Sequence, residues 1–95
     1  MTQEEIIEGN ISIDKFMDNW LISRGFSETE LNYNSDYNTL MPVVEKIERE
    51  FNQVIITYEY CDIPNIYNSQ KQNSKIEAVW IAVVEFINWY NRKSN

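Results

Sequence analysis

Histidine is absent from this chain. With it go the commonest general base and the commonest nitrogen ligand for metals, so Ser-His-Asp, Cys-His and ordinary zinc arrangements are excluded. One cysteine, Cys61, builds neither an internal disulfide, nor a thiolate metal cluster, nor a C-x-x-C redox pair. Two glycines, Gly9 and Gly25, are too few for a phosphate-cradling loop. Basic side chains are scarce, 8 against 15 acidic, for a formal net charge of −7. Such a chain lacks the dense positive footprint that a phosphate backbone requires, so nucleic acid is not an expected partner. No run reaches the roughly 18 apolar residues that cross a bilayer, and the acidic amino end has no apolar run beside a cleavage site. The expectation is a cytoplasmic chain without membrane association, in which the Asn10-Ile11-Ser12 sequon carries no weight.

What is present points to a folded chain. Ninety-five residues suit one domain, 1–95, with a single modest core, and 43% hydrophobic with 14% aromatic residues argues against an acidic disordered tail. Charge is uneven: residues 1–70 carry net −9 and residues 71–95 net +2.

The strongest pattern lies in Ser74–Asn91. Ser74 and Glu77 stand in the S-x-x-E relation of a capping box. Ile76, Val79, Trp80, Val83, Ile87 and Tyr90 recur at steps of three and four, and Ala82, Val84, Phe86 and Trp89 widen that stripe to an arc of roughly 200°. Glu77, Ile81, Glu85 and Asn88 share the remaining face. A helix this apolar must be covered on more than one side, which predicts a central core helix and leaves part of the arc (Ala82, Phe86, Trp89) for a partner or another subunit.

Upstream, Thr2 and Glu5 form a second capping box, opening a helix expected to run to about Ile22, with Gly9 as its weak point and Gly25 as its stop. Residues 26–38 are polar; Phe26–Tyr33 has room for a short strand. Ser35 or Asp36 caps a further helix in which Leu40, Val43, Val44, Ile47 and Phe51 fall on one face, with Pro42 confined to about its first turn. Glu45 with Arg49 and Lys46 with Glu50 are spaced as exposed ion pairs. Val54–Cys61 is dense in β-branched and aromatic residues and reads as a strand, and Ile63–Tyr67 as a second, with Pro64 confining it to an edge or falling at its beginning. The fold class expected is therefore α+β, about three helices layered with a small antiparallel sheet.

Two segments carry a resemblance. LMPVVEKIE at 40–48 and SKIEAV followed by AVVEFINWYN at 74–91, with Glu8-Gly9-Asn10 and Phe16-Met17 upstream, resemble a group of short proteins from Bacteroidetes genomes and mobile elements. That group is in turn similar to the phage ABA sandwich domain. The resemblance implies a sheet layered between helices, and a phage or mobile-element origin. It implies no activity and no functional residues.

Few constellations carry chemistry. Asn34, Asp36, Asn38 and Glu45 imitate the oxygen spacing of a calcium loop, but Thr39 stands where the turn needs glycine, and Asp36 as a helix cap explains the same residues. Glu28 with Glu30, or Glu45 with Glu48, read as solvated carboxylates. Cys61 reads as a small core or edge residue. No catalytic residue, cofactor or metal is expected. The tyrosines offer both apolar area and a hydroxyl, so Tyr58, Tyr60 and Tyr67, together with Phe86 and Trp89, are the candidate contact residues. The functional expectation is a non-enzymatic interaction protein that binds a protein partner or self-associates as a homo-oligomer. The alternative is a small-ligand binder with a pocket between sheet and helices.

Overall fold

The computed structural model describes residues 2–51, 54–56, 61–63 and 74–94. Three helices dominate: α1 (Gln3–Phe16), α2 (Tyr37–Glu50) and α3 (Lys75–Ser94). Between them lie single turns of 3-10 helix at Ile22–Arg24 and Glu28–Glu30, and two strands, β1 (Ile55–Ile56) and β2 (Cys61–Asp62). The α+β, sandwich-like class expected from the sequence is therefore corrected to a mostly helical one.

The correction has a local cause. Ile55 pairs with Asp62 and Ile56 with Cys61 in an antiparallel ladder, so the two ends of Val54–Cys61 face each other instead of running on as one strand. A ladder of two residue pairs buries too little to form a layer of its own. It lies against α3 through β2, with Cys61 and Ile63 fully buried. The second strand expected over Ile63–Tyr67 falls, beyond Ile63, outside the described residues.

α3 is the hub, as its wide apolar arc requires. Ser74 accepts from the Glu77 amide at 3.2 Å and opens it. Ala78, Val79, Trp80, Ala82, Val83, Phe86 and Ile87 are buried, and α1, α2 and β2 all pack on this one helix. α2 delivers Leu40, Val43, Val44 and Ile47 to it, each 1% exposed or less. The Asp36 carboxylate caps α2 by accepting from the Asn38 amide at 2.8 Å. Pro42 sits in the second turn of α2, not the first; it removes only the amide that would have met the carbonyl of exposed Asn38.

α1 is opened by the Thr2–Glu5 box but stops at Phe16, six residues short of the expected Ile22. Asp18 and Asn19 adopt left-handed backbone at φ 57° and 61°, a conformation that asparagine and aspartate accept more readily than other side chains. Gly25, at φ 98°, ends the next turn. Phe26–Tyr33 holds no strand: Ser27 and Glu30 repeat the capping-box spacing, and the Ser27 amide donates to the Glu30 carboxylate at 2.8 Å.

Candidate functional site

Three local arrangements bear on function. The first is a polar seam along α1. Asn10 and Asp14 are one turn apart and almost completely buried, 2% and 0% exposed. Asn10 Nδ2 donates to the Leu31 carbonyl and to Asn34 Oδ1, both at 2.9 Å, while its Oδ1 accepts from the Trp80 indole Nε1 at 2.8 Å. Asp14 accepts from the Leu21 amide at 3.0 Å, the Ile22 amide at 3.3 Å and the Tyr33 hydroxyl at 2.6 Å. Burial, together with the Asp14 carboxylate that accepts its proton, pushes the Tyr33 hydroxyl far above the ordinary tyrosine range. The Trp80 bond ties α3 to α1, and every other contact ties the connection between α1 and α2 back onto α1. A seam this well satisfied is structural: its polar atoms are already partnered and sealed from solvent.

The second arrangement is an aromatic cluster where α1, α2 and α3 converge. Phe86 stands at its centre, 5.4 Å from Phe51, 6.0 Å from Phe16, 6.3 Å from Tyr90 and 5.8 Å from Trp89. Beside it, Lys46 Nζ lies 4.5 Å over the Phe16 ring and donates to the Phe16 carbonyl at 2.6 Å, closing the C-terminal end of α1. Lys46 thus serves α1, and the spacing that suggested a pair with Glu50 is not how the side chain is used.

The third is a groove of about 430 Å³ between α1 and α3. Its position is set by Gly9. A Cβ at that residue would come within 2.7 Å of Trp80 Cη2 and 3.2 Å of Val84 Cγ2, so only glycine lets the two helices approach this closely. The expected weak point of α1 is a point of close packing against α3. Gly9, Trp80, Ile81 and Val84 form the floor, of which Ile81 and Val84 remain half-buried. Glu5 and Glu8 on α1 and Glu85 on α3 form the rims. Two hydrogen bonds from Thr2, amide and hydroxyl, hold the Glu5 carboxyl below its usual range.

Of the residues expected to make contacts, the two described ones, Phe86 and Trp89, do not line this groove. Phe86 is 0% exposed, so its ring belongs to the core; Ala82, offered with it as outward-facing, is equally buried. Trp89 is half-buried, with Lys93 Nζ 4.9 Å over its ring. Tyr58, Tyr60 and Tyr67 lie outside the described residues. The groove residues were overlooked, although one signal was present: Ile81 is the single apolar side chain on the polar face it shares with Glu77, Glu85 and Asn88.

The imitated calcium loop is used for other things, since Asn34 Oδ1 is engaged by Asn10 and Asp36 caps α2. Among the described residues no group of three or more Cys, Asp or Glu side chains is arranged around a metal position. Burial, reinforced by the Asp62 and Glu48 carboxylates, pushes the Cys61 thiol up to about 12, which keeps it protonated and poorly nucleophilic at neutral pH. Four surface hollows among the described residues are lined by helix and loop side chains. Among the described residues no helix is long and apolar enough to cross a membrane. Compared with family models, with curated proteins and with solved structures, the chain finds no match.

Proposed function

We propose that this protein is a small non-enzymatic interaction protein, an accessory factor of phage or mobile-element origin, that binds a protein partner through the α1–α3 groove. The observation that carries this reading is the apolar surface that α3 leaves uncovered beside α1, Val84 at the edge of the apolar arc and Ile81 on the polar face. Ile81 and Val84 stay half-buried beside Gly9 after α1, α2 and β2 have all packed against that helix. An apolar floor walled by two helices suits the seating of a third element of similar width. The residue types support a binding role over a catalytic one: the chain has no histidine, and its one thiol is buried and protonated. The segment resemblance at 40–48 and 74–91 supports the origin and is silent about the partner. A cytoplasmic location goes with this reading and is supported by the single cysteine, Cys61, which builds no internal disulfide.

Site-specific photo-crosslinking in cells that make the full chain tests it. A photoreactive residue at Ile81 is expected to form a discrete protein adduct that the same residue at exposed Arg49, on α2, does not form. Identical adduct patterns at the two positions, or none at Ile81, remove the groove from consideration.

A further inference from the structure

We propose that the α1–α3 groove receives an amphipathic helix of a partner protein whose apolar stripe is edged by lysine and arginine. The inference rests on the groove being the binding surface and goes further by fixing the partner's chemistry.

Shape argues for a helix. The α1 wall from Glu5 to Ser12 is about 10 Å long and the α3 wall from Trp80 to Asn88 about 12 Å, at roughly 1.5 Å per residue, which matches two turns of a docked helix. Its anchors at i and i+3 or i+4 find Ile81 and Val84, themselves three apart. An extended segment would bring unpaired amides and carbonyls against helix side chains with no strand edge to answer them; a helix satisfies its own backbone.

Charge argues for a basic one. Glu5 and Glu8 stand on one rim and Glu85 on the other, and among the described residues that line the groove there is no cation. Glu5, like Glu8 and Glu85 an exposed carboxylate, is held in place by the Thr2 hydrogen bonds. A neutral apolar helix would partly desolvate three carboxylates without compensation, and an acidic one would be repelled. A chain of net −7 also steers basic partners toward itself from a distance. A second copy of this chain is a poor occupant for the same reason. Its helices, besides, already spend their apolar faces on their own core.

The test uses the full-length, 15N-labelled protein and three synthetic peptides of about 18 residues. One has a leucine stripe edged by lysine and arginine, one has glutamate at every basic position, and one scrambles the basic sequence so that the stripe is lost. The basic peptide is expected to shift the amides of Gly9, Ser12, Ile81 and Glu85. Its affinity should fall about tenfold between 50 and 500 mM salt, and about tenfold again in an E8K/E85K variant of unchanged melting temperature. Equal binding of the acidic or scrambled peptide, shifts centred on exposed Phe51 instead, the absence of binding at millimolar peptide, or a dimer seated in the groove would each overturn the proposal. A discrete adduct at Ile81 combined with no preference for the basic peptide overturns the charge assignment alone; failure at Ile81 overturns the groove itself.

Discussion

The indole Nε1 of Trp80 donates to Oδ1 of Asn10 at 2.8 Å, and its six-membered ring fills the space that Gly9, the preceding residue, leaves open. One side chain thus meets both a steric and a polar demand of α1. The buried amide of Asn10 is completed by the Leu31 carbonyl and by Asn34, so the same link reaches through α1 to the connection beyond it.

Gly9→Ala is expected to destabilise the protein, although alanine is the better helix former by up to about 1 kcal/mol. The added methyl meets a rigid, buried ring, and overpacking of this kind costs about 1–3 kcal/mol. Urea unfolding followed by tryptophan fluorescence should show a lower midpoint with an unchanged slope.

Asn10→Ala leaves the Trp80 N–H and the Leu31 carbonyl buried without partners, at a cost of about 2–4 kcal/mol. Trp80→Phe removes the donor but keeps much of the ring. In a double-mutant cycle the two changes should couple by about 1 kcal/mol or more, which calorimetry of the four proteins would measure.

Alkaline pH should unfold the chain earlier than its ordinary tyrosines would suggest. Tyr33 and Cys61 both have folded pKa values raised above their ordinary values, Cys61 to about 12. A group with a raised folded pKa holds its proton more tightly in the native state. Its contribution is intact below the ordinary value and is lost as pH climbs above it. Stability should therefore be flat through neutral pH, decline from about pH 9 as the unfolded thiol ionises, and decline further above about pH 10. Tyr33→Phe should remove the upper part of this slope and lower stability at pH 7 by about 1–2 kcal/mol, because Asp14 loses its hydroxyl donor.

Lys46→Met keeps the aliphatic stem against Phe16 and deletes the ammonium that meets the last carbonyl of α1. A loss of about 1 kcal/mol is expected, and amide exchange should quicken in the last turn of α1 more than elsewhere.

The helices were legible where one residue type did one job. Ser74 with Glu77, Thr2 with Glu5, and Asp36 announce helix starts through a side-chain oxygen at a fixed distance, and the structure uses each of them. The arc on α3 was legible because a wide apolar face has to be covered. The sheet was misread because β-branched and aromatic residues suit any buried surface, and Ile55, Ile56 and Cys61 make only a two-pair ladder beside α3. The end of α1 was misplaced because Gly25 looked like the stop, whereas Asp18 and Asn19, able to enter left-handed backbone, reverse the chain earlier. Asn10 and Asp14 were missed because buried polar groups break the apolar stripe that periodicity seeks; their partners, Trp80 and Tyr33, are 70 and 19 residues away. The groove was missed for a related reason. Glu5 and Glu85 are distant in sequence, and the close approach of their helices at Gly9 sets them on facing rims.

That notch has a further implication. Sliding α1 along α3 by one turn would set Glu5 or Ile13 against the indole in place of Gly9, and neither leaves room for it. The pair is keyed like a shaft and slot, with a single axial setting, so the rims of the groove keep their spacing without any covalent brace. A larger residue at 9 is then relieved of its clash by a smaller one at 80, so the size tolerated at one position depends on the residue at the other.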